Sequence, residues 1–492
     1  MNRVSIALFG SIILLVGLLY LLQEPATDRS KSSLTLFCAA SNRAVVEKIR
    51  ADYEREIGIE VVIQYGPSQS LLSSAEVSGT GDLYLPADES YLELGREKGL
   101  VEEIFPLARM QAGLVVRKGN PGNYRTLEDI VRDGVKLVQA DPEVAAVGKM
   151  TRKILGMHGS WDRIHAATMA YRTTVTDVAN DVKLGAADVG IVFDAVLSTY
   201  PGLEFVPIPE LAEARADSAV GILKSSKNPS AALHFARYLS AADRGLKQYA
   251  EAGFKPVEGD PWDDIPEIEI FAGAMLRPAV DLTIQEFAKR EGVNVSTIYN
   301  GCGILVGQIK TGQHPDAYFA CDAEFLTQVR QLFGEPLDVS ANELVILVQK
   351  GNPHNIVSLR DLSKPELRVG IGHEKQCAMG WLTQQTLIEG GVQSEVMPNV
   401  VVQSATGDLL VNKMNAGALD AAVAYISNAA GSADKLDAVR ITGLTCAVAT
   451  QPFAIGKETK HRQLMLRLQK QILSSASQER FVNEGFHWNS QQ

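Results

Sequence analysis

Residues 34–70 read LTLFCAASNRAVVEKIRADYEREIGIEVVIQYGPSQS, and this stretch decides the fold. Leu34 to Phe37 is a short apolar run with strand character, Arg43 to Ile57 an amphipathic helical stretch, and Ile59 to Gln64 a second strand. Further along, Leu71 to Ser78 reads as a helix and Asp82 to Leu85 as a strand. Such alternation predicts an α/β unit with mixed, mostly parallel sheets. In sheets of that kind, ligands sit beyond the carboxyl ends of strands, where loops lead into helix N-termini. Two of these junctions carry small hydroxyl residues, Ala39-Ala40-Ser41 and Pro67-Ser68-Gln69-Ser70. A serine at a helix start is commonly a cap. Two at matching strand ends favour an anion site built from hydroxyls and helix-terminal amides.

The same pattern is written a second time. Leu36-Phe37-Cys38-Ala39-Ala40 returns as Ile270-Phe271-Ala272-Gly273-Ala274, and Tyr65-Gly66 as Tyr299-Asn300. Asp82 and Asp88 return as Asp316 and Asp322, both at a shift of 234 residues. Lys118-Gly119-Asn120-Pro121 is repeated letter for letter as Lys350-Gly351-Asn352-Pro353, at a shift of 232. Gly148 returns as Gly380, and Gly253-Phe254 as Gly485-Phe486. A period this long exceeds that of solenoid repeats, so each copy folds around its own core. The first unit is expected over 33–256 and the second over 268–492. Between them, 257–267 is acidic, polar and interrupted by proline, as a linker is.

A chain of 492 residues exceeds a single core, and 46% hydrophobic with 21% charged residues is ordinary globular composition. A formal net charge of -11 excludes a nucleic-acid partner, since there is no basic surplus to neutralise phosphates. One small anion remains acceptable to backbone amides and hydroxyls. Val4 to Leu22 has no charged residue, and its nineteen residues as helix would span roughly 28 Å, close to a bilayer core. Residues 1–25 are therefore expected to be an uncleaved transmembrane anchor, with a cleaved signal as the alternative and the body outside the cytoplasmic membrane. The five cysteines Cys38, Cys302, Cys321, Cys377 and Cys446 leave at least one unpaired.

At Phe37-to-Ser41, Ser68, Gly81-Asp82-Leu83 with Ala87-Asp88, Asp141-Pro142-Glu143 with Gly148, and Gly190-Ile191-Val192-Phe193, the chain resembles the periplasmic molybdate-binding proteins of ABC transporters. The resemblance covers Leu34 to about Val257. It implies two tandem type II periplasmic-binding-protein units, each bilobed, and a dehydrated tetrahedral oxyanion, molybdate or tungstate, held in a cleft. The family's two serines fall on Ser41 and Ser68, its amide donors on Val147 and Val175, and its tyrosine on Phe193. Phenylalanine cannot donate, and one donor lost from a charged ligand weakens binding by about 1.5–3 kcal/mol. The resemblance also implies delivery to an ABC permease, and no cofactor.

In the second unit the matching positions are Met275, Cys302, Met379, Gly407 and Tyr425. A thioether cannot donate a hydrogen bond and a thiol donates weakly, so this is a poor oxyanion site. Met275, Cys302, Cys377 and Met379 leave open a soft-metal cluster, an apolar cleft, or a Cys302–Cys377 disulfide tying the lobes shut. Asp82 and Asp88 lie at opposite ends of one strand and read as structural rather than as an acid/base pair. His158 and His165 lack the i, i+4 zinc spacing and read as surface residues. No nucleotide-binding or nucleophile motif is present, so no enzyme is expected. A non-transport receptor or scaffold, with the second unit contacting a partner or binding a different ligand, is the alternative function.

Overall fold

The computed structural model describes residues 33–489. The expected anchor, 1–25, lies outside them; among the described residues no helix is long and apolar enough to cross a membrane. The chain divides into two units between Glu258 and Gly259. Asp260, expected in the linker, accepts from the backbone amides of Gln463 (2.8 Å) and Leu464 (3.0 Å) and so belongs to the second unit.

In the first unit the strands are β1 (Leu34–Ala39), β2 (Val61–Gly66), β3 (Leu83–Leu85), β4 (Val101–Arg117), β5 (Leu137–Ala140), β6 (Thr168–Arg172), β7 (Val189–Phe193), β8 (Leu203–Val206), β9 (Arg215–Leu223) and β10 (Lys255–Pro256). Their order is β2-β1-β3-β9-β4-β7-β5-β6, with β8 and β10 paired to β4. The second unit repeats this as β12-β11-β13-β19-β14-β17-β15-β16. There β11 is Glu267–Gly273, β12 Asn294–Asn300, β13 Ala317–Phe319, β14 Leu337–Gln349, β15 Val369–Gly372, β16 Val400–Ser404, β17 Ala421–Tyr425, β18 Leu436–Arg440, β19 Val448–Ile455 and β20 His487–Trp488.

Only the pairs β1–β2, β1–β3, β5–β6 and β5–β7 of the first unit are parallel. The expectation of mostly parallel strands is corrected at the centre, where β4 runs antiparallel to β7, β8, β9 and β10. The physical reason is the two-lobed plan. Val101 to Gln111 of β4 pairs with β9 in one lobe, and Ala112 to Arg117 pairs with β7 and β8 in the other. One strand thus belongs to both lobes, and the chain returns through 207–214. Gln111 stitches these crossings, donating from Nε2 to the carbonyls of Leu211 (2.5 Å) and Ala214 (3.1 Å).

Local sequence explains the pieces that carry the site. Helix α1 (Arg43–Ile57) buries Val45, Val46, Ile49 and Tyr53, one helical stripe, and stops at Gly58 in the left-handed conformation. Each such side chain removed from water contributes about 1.5–3 kcal/mol. Asp82 accepts from Thr35 N (2.8 Å) and Ser226 Oγ (2.6 Å), pinning β1 to the segment after β9. Asp316 does the same with Glu269 N (2.9 Å) and Thr459 Oγ1 (2.5 Å). The aspartates are structural, as their positions along the strand imply.

Candidate functional site

Four elements bring the first cleft together: the 3-10 turn Ala40–Asn42 after β1, helix α2 (Ser68–Ser78) after β2, helix α3 (Ala146–Met157) after β5, and helix α4 (Val175–Lys183) after β6. Each follows a strand's carboxyl end, so the first-turn amides of three helices converge on one place. Those amides have no intrahelical partner and carry the positive end of the helix dipole. The small cavity they border is partly open to solvent. Ser41, Ser68, Val147, Val175 and Phe193 all line it, together with Ala39, Ala40, Gly66, Pro67, Ala87, Ala145, Ala146, Thr173 and Thr174. No lining side chain is charged, and none is an acceptor without also being a donor.

Neither serine is a cap. The residue before the 3-10 turn is Ala39 and the N-cap of α2 is Pro67, and neither start has a side-chain cap. Ser68, the first residue of α2, is buried, and its Oγ accepts from Ala87 N at 3.1 Å. Its own proton is thereby left to point elsewhere. Ser41 Oγ accepts from Asn42 Nδ2 at 3.4 Å, while Asn42 Oδ1 accepts from Ser218 Oγ and Tyr249 OH, both at 3.3 Å. Asn42, Ser218 and Tyr249 are all buried, so this network fixes Asn42 beside Ser41 without spending the Ser41 proton.

Val147 is the second residue of α3 and Val175 the first of α4. A Cβ on Gly148 would overlap the Ala140 carbonyl, so only glycine lets the first turn of α3 sit this close to β5. Thr174 caps α4, accepting from Asp177 N at 3.2 Å. Phe193 ends β7, fully buried, and offers the cavity no polar atom. Sequence reasoning missed Thr173 and Thr174. The signal was present, since Thr-Thr precedes a helix at a third strand end.

In the second unit the corresponding elements are the 3-10 turn Ala274–Leu276, which leads into helix α5 (Arg277–Glu291), and helices α6 (Cys302–Lys310), α7 (Ala378–Glu389) and α8 (Gly407–Asn415). Cys302 begins α6, and its Sγ is bonded to that of Cys321, with a Cα–Cα separation of 6.4 Å. A Cys302–Cys377 disulfide is therefore corrected: Cys321, at the end of β13, lies within the same lobe as Cys302 and takes it instead. Cys377 is a buried free thiol whose pKa burial pushes up to about 11. With one sulfur of the pair oxidised and the other protonated, Cys302 and Cys377 do not make a thiolate pair for a soft metal. Among the described residues no group of three or more His, Cys, Asp or Glu is placed to hold a metal ion.

Met275 and Met379 are both buried. Gly407 starts α8, with the Asn428 side chain standing where a Cβ would be. Tyr425 ends β17, 2% exposed, and its hydroxyl has no hydrogen-bond partner among the described residues.

The sequence profile of the bacterial extracellular solute-binding proteins matches residues 34–255 and again 268–487. The Molybdate-binding protein ModA of Mycobacterium tuberculosis is 26% identical over 230 residues, 46% of this chain and 86% of that protein. The Molybdate-binding protein ModA of Escherichia coli is 23% identical over 206 residues, 40% of this chain and 80% of that protein. The solved periplasmic molybdate-binding protein of Azotobacter vinelandii is 19% identical with a TM-score of 0.39, covering 46% of this chain and 100% of that one.

Proposed function

We propose that this chain, which belongs to the bacterial extracellular solute-binding protein family, holds a small tetrahedral oxyanion in its first cleft and hands it to an ABC permease. Molybdate or tungstate is the ligand favoured. The observation that carries this reading is the lining of the first cavity, which combines hydroxyls with first-turn helix amides and contains no charge. Burying an anion without a cation is tolerable only when its oxygens are hydrogen-bonded. Helix-terminal amides supply such bonds together with favourable dipoles. The relatives named as molybdate-binding proteins support the same ligand class.

The absence of a carboxylate or other obligate acceptor from the lining carries a selectivity. A fully deprotonated oxyanion uses every donor, whereas a phosphate that keeps a proton finds no acceptor-only side chain to receive it. Uptake follows the hinge: the lobes rotate about β4 and the return segment 207–214, and closure brings α3 and α4 onto an anion seated against Ser41 and Ser68. The body is placed outside the cytoplasmic membrane, held by the N-terminal segment.

Calorimetric titration of the soluble body with molybdate, tungstate, sulfate and phosphate tests the reading. Saturable binding of one anion per chain is expected, with phosphate weakest. An absence of heat and of any thermal shift with all four would sink it.

A further inference from the structure

Phe193 offers the first cavity no hydroxyl, and another lining position on the same lobe supplies one. In the second unit Tyr425 occupies the place of Phe193, with its hydroxyl buried and unpartnered among the described residues. At the residue after β6 the first unit has Thr173; at the equivalent residue after β16 the second has Ala405. Each unit therefore carries one hydroxyl across this pair of positions, and carries it on opposite members of the pair.

The two threonines beside the cavity are not equally available. Thr174 Oγ1 is fully engaged: it donates to Asp177 Oδ2 at 2.6 Å, accepts from Asp177 N at 3.2 Å, and lies 2.8 Å from Thr176 Oγ1. Thr173 Oγ1 reaches Asp177 Oδ2 only at 3.4 Å, where a hydroxyl bond is weak. Thr173 also lines the cavity. Its proton is the less committed of the two.

We propose that Thr173 is a ligand donor of the first cleft, its hydroxyl replacing the one that Phe193 lacks. This rests on the oxyanion reading and adds the residue that completes it. The bond closes only when the lobe bearing α4 swings onto the anion, because Thr173 sits at the exposed rim of that lobe.

The test uses the whole exported body, with molybdate as probe. Thr173→Val, which keeps the shape and removes the hydroxyl, is expected to weaken molybdate binding about ten- to a hundred-fold. The thermal stability of the ligand-free protein should stay unchanged. Adding Phe193→Tyr to Thr173→Val should recover at least tenfold of the loss, whereas Phe193→Tyr alone should gain less. Equal affinity in Thr173→Val, or no recovery in the double variant, overturns the proposal. Failure of the unaltered protein to bind any of the four oxyanions would instead bring down the oxyanion reading beneath it, so the two failures are separable.

Discussion

The first and second clefts are built on one plan and differ in what one bond is made of. In the first, Ser68 Oγ accepts from Ala87 N at 3.1 Å, fastening the start of α2 to the end of β3. In the second, Cys302 Sγ accepts from Cys321 N at 3.0 Å in the same relation, and the two sulfurs are also covalently joined. The scaffold function of the side chain, receiving one backbone amide, is kept in both. A hydroxyl proton left unspent by that bond, which the proposed oxyanion reading requires, exists only in the first. A site residue can therefore be lost with no disturbance of the fold.

The lobes of the two units also meet differently. The amide of the second residue of α2, Gln69, donates to Val144 O at 3.2 Å across the first cleft, and Gly303 donates to Gln376 O at 3.1 Å across the second. In the second unit, however, a Cβ on Gly303 would overlap the Lys375 carbonyl, and one on Gly301 would overlap that of Gln376. Pro67 and Gln69 stand at these places in the first unit. A backbone hydrogen bond thus joins the lobes in both units, and only in the second do flanking glycines let the carbonyls of 375 and 376 occupy the space of a Cβ.

The comparison breaks most visibly at the serines. On the proposed oxyanion reading, Ser41→Ala with Ser68→Ala removes two charge-assisted donors, each contributing about 1.5–3 kcal/mol. Molybdate affinity should fall on the order of a thousand-fold. The matching pair in the second unit, Met275→Ala with Cys302→Ala, should leave it unchanged. Titration calorimetry on both variants decides, and a comparable loss from the second pair would mean that the anion sits in the other cleft.

Next in size is the disulfide. Cys302 and Cys321 are 19 residues apart, a loop whose closure stabilises by about 3 kcal/mol in the chain-entropy account. Cys302→Ser with Cys321→Ala, which rewrites the second unit in the chemistry of the first, should lower its unfolding free energy by that order. The molybdate-stabilised transition of the first unit should not move. Peptide mapping without reductant should recover the 302–321 linkage. Free thiols at both positions would show that the clefts are more alike than described.

How much of this was legible in the sequence depends on whether local pattern or long-range contact decides the feature. The helix Arg43–Ile57 appears in the structure with the ends read from its periodicity, because an amphipathic stripe and a left-handed glycine are local signals. Ser41, Ser68, Val147, Val175 and Phe193 were collected by resemblance, and the structure places all five on one cavity. The antiparallel centre was not legible, since no local feature of Val101–Arg117 announces that it serves two lobes. The partner of Cys302 was misjudged for a related reason. Cys321 follows a three-residue strand whose parallel pairing with β11 alone brings it under the start of α6. Thr173 was passed over because its value emerges only against Phe193 and Ala405.

The smallest expected effect concerns Asp322, which caps a short helix by accepting from Glu324 N at 2.8 Å. Burial, more than the nearby Glu324 carboxylate, raises its pKa from the ordinary value near 3.8 to about 6, against the opposing pull of that amide. A folded-state pKa above the unfolded one means that the folded protein binds the extra proton. The associated stability is present in full below pH 4 and is lost as pH rises through 6. At pH 7 the second unit therefore carries a buried carboxylate that its unfolded chain would hold more comfortably in water. Asparagine keeps the capping oxygen and discards the charge. Asp322→Asn should accordingly stabilise the second unit by about 2 kcal/mol at pH 7 and by little at pH 4. Thermal unfolding at the two pH values measures this directly. A gain that is the same at both would show that the substitution acts through packing, and that this charge does not distinguish the second cleft from the first.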